Sequence, residues 1–199
     1  MGLPSAFHTA VYFCLGAALA YGQELPPWWK AFANVPRIQS AFVQTSDSAV
    51  FGKLKRKGSV RLAKGGRLRV VYEDGLELVA DGRSLIQFDP DTRTAQRMEL
   101  SEAAREAPLL RLLTDPTKLG GTYAIEPSPN GQVWLKPLKK GLPEVRVEGS
   151  GSLPKRLMWT DASGAGQVLE LLGANIPAKP FPAGTFDFQP PKNTRWLGK

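Results

Sequence analysis

Between residues 64 and 90, apolar and polar side chains alternate in three short runs. In the first run Leu68, Val70 and Tyr72 fall on one side of an extended chain, while Arg69 falls on the other. Alternation with a period of two is typical of a β-strand that has one buried face and one solvated face. A sheet of such strands must cover its apolar face with another element.

Turn sequences divide most of the chain into further strands, for example at residues 65–66 (GG), 74–75 (DG) and 81–82 (DG). Strand patterns occur at 38–44, 50–54, 58–63, 68–72, 76–80, 84–88, 94–100, 122–126, 132–138, 144–148, 156–160 and 168–176. Regular strand–turn–strand spacing without intervening helices favours antiparallel pairing. We therefore predict one domain, residues 21–199, that is mainly β with some α and forms a strongly curved, incomplete antiparallel β-barrel.

Two helical segments are predicted to cover the concave face of this sheet. Residues 26–35 have an aromatic face, and residues 101–113 form a second helix that Pro108 breaks. A helix that packs as a fixed prop carries a narrow apolar stripe, whereas the second segment is apolar on most of its surface. We predict a movable lid, with static core packing as the alternative. The predicted lid residues are Trp28, Trp29, Phe32, Leu109, Leu110, Leu112 and Leu113.

Residues 1–20 are predicted to be a cleaved secretory signal peptide. Residues 10–20 form an uncharged apolar run too short to span a bilayer, and residues 18–20 match an A-x-A cleavage site. A buried core helix is the alternative. The only histidine, His8, and the only cysteine, Cys14, lie in this segment. A processed chain would therefore lack His or Cys catalysis, disulfides and ordinary zinc or haem sites, and we expect neither a metal nor a cofactor.

The net charge of +8 at pH 7 is spread along the predicted strands. Much of it falls on Lys53, Lys55, Arg56, Lys57, Arg61, Arg67 and Arg69. A solvated outer sheet face accounts for this distribution, and export argues against a nucleic-acid partner. Attraction to acidic proteins or anionic head groups is the alternative.

Several segments between residues 38 and 191 together resemble the LolA family of periplasmic outer-membrane lipoprotein carriers. These segments are 40–44 (SAFVQ), 58–60 (GSV), 66–73 (GRLRVVYE), 81–90 (DGRSLIQFDP) and 186–191 (FDFQPP). The segment 81–90 is similar to the family's D-G-K-x-L-W-x-Y-[DN]-P, and 186–191 is similar to its F-x-F-x-P-P ending. The resemblance implies an incomplete antiparallel barrel that is closed by a helical lid.

The resemblance also implies a carrier rather than an enzyme. Such a carrier takes a triacylated lipoprotein from an inner-membrane ABC-type release complex and shields the acyl chains. It crosses the periplasm of a Gram-negative-type bacterium and delivers the cargo to an outer-membrane receptor. A monomer is expected. The alternative is a related periplasmic module that binds lipid or senses lipoproteins. A hydrolase is disfavoured, because the paired acidic residues, such as Glu73 and Asp74, fall in turns.

An acyl-chain cavity is predicted on the apolar face. Its wall residues are Phe42, Val60, Leu62, Leu68, Val70, Tyr72, Ile86 and Phe88. Plain barrel core is the alternative for each of them. Lys64 stands where the family has an arginine that the resemblance implies holds the lid closed, so Lys64 is the candidate latch, without the planar fork of arginine. Gln44 is a further candidate for a polar contact.

Overall fold

The computed structural model describes residues 24–106 and 108–198, which form one curved, open sheet with helices on one face. The predicted signal peptide, with His8 and Cys14, lies outside the described residues. The strands are β1 (Arg37–Ser48), β2 (Gly52–Ala63), β3 (Arg67–Tyr72), β4 (Glu77–Asp81), β5 (Ser84–Asp89), β6 (Thr94–Glu99), β7 (Tyr123–Pro127), β8 (Val133–Pro137), β9 (Val145–Ser150), β10 (Leu153–Thr160), β11 (Gly166–Asn175) and β12 (Arg195–Leu197). The helices are α1 (Pro27–Phe32), α2 (Leu100–Glu106) and α3 (Pro108–Thr114), and a 3-10 helix follows at Pro116–Gly121.

The strand order is β12-β6-β5-β4-β3-β2-β1-β11-β10-β9-β8-β7. All neighbours pair antiparallel except β12, which runs parallel to β6. The strands at the two ends of this order do not pair with each other, so the sheet stays open. The predicted fold class, mainly β with a strongly curved incomplete barrel, is confirmed.

The register between strands defines two faces of the sheet. Leu62, Leu68, Ala80 and Leu85 lie opposite one another across β2 to β5, and we call the face that they share the inner face. The neighbouring row on the opposite, outer face contains Arg69, Val79 and Ile86. Since side chains alternate along a strand, this register assigns every residue of these strands to one face.

The main apolar core lies between the inner face and the helices. It includes Leu62, Leu68 and Leu85 from one half of the sheet, together with Trp28 and Phe32 from α1. The other half of the sheet contributes equally buried side chains, from Val133, Leu135, Val145, Val147 and Leu157. The core therefore runs along the whole curved sheet.

Helix α1 is placed on β9 and β10 by its first tryptophan. Trp28 donates a hydrogen bond from Nε1 to the carbonyl oxygen of Gly131 at 2.8 Å. Its indole lies directly over Gly149, where a Cβ atom would overlap the ring. Gly149 therefore makes room for the indole, and any larger residue there would displace α1.

The outer face of β5 is covered by the C-terminal segment. Ile86, Phe88 and Ala95 form a second apolar cluster against Phe188, with 5.7 Å between the Phe88 and Phe188 ring centroids. The prediction that Ile86 and Phe88 line the same wall as Leu68 is therefore wrong. The pairing of Val79 with Ile86 puts both side chains on the face of Arg69, because paired residues share a face.

Candidate functional site beneath the helices

The helices close the inner face with buried apolar side chains. Helix α3 packs on β2, and α2 packs on β5 and β6. Leu110 and Leu112 are buried in the main core, Leu113 is half-buried, and the side chain of Leu109 lies outside the described residues. Trp28, Trp29 and Phe32 are also buried there, with edge-on contacts between neighbouring rings. The described lid residues thus lie together over the inner face.

Six of the eight predicted wall residues belong to this core. Phe42, Val60, Leu62 and Leu68 are buried in it, and Val70 and Tyr72 pack against it half-buried. The Phe42 and Tyr72 rings meet edge to face with centroids 5.1 Å apart. Gly58 lies between them in the sheet, and a Cβ atom there would come within 2.7 Å of the Phe42 ring. The missing side chain allows the two rings to touch.

A small cavity lies between the end of α3 and the sheet. Its volume is about 170 Å³, and its lining includes Phe32, Ile38, Leu62 and Leu113. Pockets that hold drug-sized ligands typically have about 300–1,000 Å³. The cavity at this place is therefore too small for an acyl chain, and the inner face is filled by the protein's own side chains. A ligand as large as an acyl chain would fit there only if the helices moved away.

A chain of polar side chains crosses the inner face beyond Phe42. The Tyr72 hydroxyl donates to Gln44 Oε1 at 2.9 Å, and Gln44 Nε2 donates to Gln167 Oε1 at 3.3 Å. Gln167 Nε2 in turn donates to Ser46 Oγ at 2.8 Å and to Asp161 Oδ2 at 2.7 Å. Burial raises the pKa of Tyr72, although Arg56 nearby acts in the opposite direction. These residues mark a polar end of the apolar face, and Gln44 serves there as a link.

Tyr123, on β7, has a buried hydroxyl that the sequence did not single out. The residue is 1% exposed, and its hydroxyl has no hydrogen-bond partner among the described residues. Burial raises the pKa of Tyr123 to about 12. An unpaired hydroxyl among apolar side chains costs stability, because it loses its hydrogen bonds to water on folding.

Replacing Tyr123 by phenylalanine should therefore raise the free energy of unfolding, by about 1 kcal/mol. The folded-state pKa lies above the usual value of 10, so the unfolded chain loses the phenol proton at a lower pH than the folded protein does. The free energy of unfolding therefore has its full value below pH 10 and falls between about pH 10 and 12. Tyr123→Phe should flatten the fall in stability within that window. Urea unfolding at pH 7 and across pH 10–12 measures both effects.

Tyr72→Phe is the matched control for this experiment. The Tyr72 hydroxyl has a partner in Gln44, so its removal should destabilise the protein by about 1 kcal/mol. Equal destabilisation by both variants would mean that the Tyr123 hydroxyl is satisfied in solution.

Lys64, the candidate latch, is exposed at the rim of the small cavity. Its backbone N–H donates to the carbonyl of Pro36 at 3.0 Å, and its ammonium group makes no hydrogen bond or ion pair within the described residues. Asp115 lines the same cavity but pairs with Lys118 at 2.9 Å. Arg37 also lines it, with a buried Nε that has no partner in the described part of the chain. The latch role of Lys64 remains a prediction.

Sequence reasoning also missed inner-face residues outside the segment 64–90. Strands were predicted at 132–138 and 144–148, but their buried residues Val133, Leu135, Val145 and Val147 were not among the predicted wall residues. The strand pattern did not indicate that this face lies under α1. In the described ranges, no three His, Cys, Asp or Glu residues are close enough to hold a metal ion. None of the helices in those ranges has the length and apolar character to cross a membrane.

The fold and the site define a class of proteins in which a curved open sheet holds short helices over an apolar face. A family model described as "Outer membrane lipoprotein carrier protein LolA" matches residues 33–189, and the chain belongs to this family. It is similar to an outer-membrane lipoprotein carrier protein of Bordetella avium, with 27% identity over 89% of this chain and 88% of the relative. A relative of the same name from Bordetella bronchiseptica is 27% identical over 58% of this chain and 56% of its own.

A solved structure shares the fold. An uncharacterised conserved protein of Thermus thermophilus superposes with a TM-score of 0.50 and 12% identity over 84% of this chain and 94% of that protein. A LolA superfamily protein of Nitrosomonas europaea gives a TM-score of 0.45 and 12% identity over 77% of this chain and 93% of its own.

Proposed function

We propose that this protein is a periplasmic carrier that buries the acyl chains of lipoproteins on the inner face, from which the acyl chains displace the helices. The proposal rests on one observation, which is that short helices cover the apolar inner face of an open sheet. These helices fill the inner face with leucine and tryptophan side chains, while the sheet itself stays open. The relatives' names, outer-membrane lipoprotein carrier proteins, support the same cargo class.

The energetics of a carrier require such a cover. Burying an acyl chain is worth about 0.8 kcal/mol per CH₂ group, so an empty apolar cavity would hold its cargo too firmly. Here the helices pack on the apolar surface themselves. Cargo must displace them, and the packing energy that they regain afterwards helps to expel the acyl chains. The lid thereby limits the affinity to a level that permits delivery.

The full transport route belongs to the proposal. An N-terminal signal peptide would direct the chain to the periplasm, an ABC-type complex of the inner membrane would load it, and an outer-membrane receptor would accept the cargo. Chemistry on the cargo has no part in this route, since the relatives are named as carriers.

A release assay tests the proposal. The purified protein should release a triacylated lipoprotein from inner-membrane spheroplasts into a soluble complex with the protein, and then pass it to outer-membrane vesicles. Binding of free fatty acid without release of lipoprotein would reject the carrier role and indicate a lipid-binding module. Stable binding of the lipoprotein without onward transfer would indicate a sensor.

A further inference from the structure

The hairpin that joins β1 to β2 ends in an apolar tip that is open to solvent. Val50 is 80% exposed, Phe51 is 90% exposed and Leu54 is 60% exposed. Single exposed apolar residues are normal on protein surfaces. Three of them within five positions, at the end of two twelve-residue strands, form a patch that contributes nothing to either core cluster. Such a patch indicates an interaction site.

The backbone of this tip is ordered by its own hydrogen bonds. Ser48 Oγ accepts bonds from the backbone N–H groups of Val50 at 3.2 Å and of Phe51 at 3.4 Å. Gly52, with a φ of +69°, then turns the chain into β2. Because the amides at the apex already have a partner, the tip can enter an apolar medium without leaving these donors unpaired.

A row of lysines leads to the tip along the outer face of β2. Lys53, Lys55 and Lys57 alternate along the strand and are exposed. Lys53 pairs with Asp47 at 3.6 Å, while Lys55 and Lys57 have no ion pair within the described ranges. The hairpin thus combines an apolar apex with uncompensated positive charge directly behind it.

We propose that this hairpin docks the protein on a bilayer surface that carries anionic phospholipids. Phe51 and Val50 enter the boundary between head groups and acyl chains, and the lysines contact the phosphates. The long lysine side chains can extend along the hairpin to reach the head groups. A protein partner would need a pocket to receive a convex apolar apex, whereas a bilayer accepts it without one. The positive charge and the convex shape of the hairpin therefore favour a membrane over a protein as its docking partner.

The same strands connect the tip to the inner face. Gln44, in the polar chain that ends the apolar surface, lies four residues before Ser48, or about 13 Å along β1. Docking through the tip would bring this end of the inner face close to the bilayer. The docking itself needs no lipoprotein, so it is tested independently of the carrier proposal.

Sedimentation with vesicles tests the docking. The protein, purified after expression of the full chain, should bind vesicles of phosphatidylcholine and phosphatidylglycerol more tightly than vesicles of phosphatidylcholine alone. Phe51→Ser should weaken binding at least about tenfold, because the aromatic ring that would be buried in the bilayer is lost. Leu138→Ser is the matched control, since Leu138 is 59% exposed and lies outside the tip, and binding should be unchanged. Equal binding by Phe51→Ser and the unaltered protein, or no vesicle binding at all, would overturn the proposal.

A fluorescent label gives a second, positional readout. In a Cys14→Ser background, Phe51→Cys and Leu138→Cys can each be labelled with a polarity-sensitive dye, because Cys14 is the only cysteine. Vesicles containing phosphatidylglycerol should shift the emission of the label at position 51 to the blue and leave the label at position 138 unchanged. All variants share the same residues 1–23, so a difference between them reports on the tip. A response at position 138 alone would assign binding to another surface and reject the proposal.

Discussion

Replacing Leu112 by alanine should tighten the binding of a triacylated lipoprotein by at least about tenfold. Leu112 is 1% exposed and belongs to α3, which closes the inner face. Truncating a buried leucine costs about 2–5 kcal/mol. When cargo binds only after the helices have moved away, that cost falls on the closed state and raises the population able to bind. The affinity rises in proportion to this population.

The prediction is checked by measuring the dissociation constant for the lipoprotein and the fraction passed on to outer-membrane vesicles. The fraction passed on should fall as the affinity rises. Val79→Ala is a suitable control, because Val79 is 2% exposed but lies on the outer face. It should lower the stability without changing the dissociation constant. Weaker binding by Leu112→Ala would show that α3 is part of the bound site and not a competitor for it.

Leu68→Ala and Ile86→Ala should have similar effects on stability and different effects on cargo. Both side chains are buried, Leu68 at 2% and Ile86 at 7% exposure, so each truncation should lower the free energy of unfolding by about 2–5 kcal/mol. Leu68 lies on the inner face under the helices, whereas Ile86 packs beneath the C-terminal segment. Only Leu68→Ala should change lipoprotein binding.

Urea unfolding establishes the shared loss of stability, and a lipoprotein release assay then separates the two variants. A defect in release for Ile86→Ala as large as that for Leu68→Ala would place the cargo on the outer face. Alanine is preferable to a charged residue at position 68. A carboxylate buried there without a partner would cost a large part of the whole stability and would unfold the protein.

The sequence predicted the order and type of most elements, because turn residues separate the strands and Pro108 interrupts the lid. The sequence could not predict which residues of β5 lie on the inner face of the sheet. Leu85 and Ile86 are adjacent and both apolar, since one packs in the inner core and the other under the C-terminal segment. A strand that is buried on both sides loses the alternation that identifies its core face. The register with β4 resolves this ambiguity, and register is a property of the assembled sheet.

Two other features depend on contacts between distant segments. The parallel strand β12 has three residues, too few for a periodic pattern. The Tyr123 hydroxyl, which has no hydrogen-bond partner in the described part of the chain, is buried by strands and helices distant in sequence, so the sequence could not predict it. The buried face of β2 and the start of β3, in contrast, was predictable because Arg61, Arg67 and Arg69 alternate with its apolar residues. The sequence predicts the buried face of a strand where the opposite face is exposed to solvent.

The pairing of β12 with β6 has a consequence for how the protein is made. Arg195 lies opposite Thr94, so the edge of β6 is completed by a segment synthesised about a hundred residues later. Until that segment has been synthesised, β6 exposes unpaired backbone groups beside apolar side chains. Contacts of such long sequence separation form slowly. New chains therefore pass through a period in which this edge can pair with other chains, and a chaperone that shields extended segments would protect them.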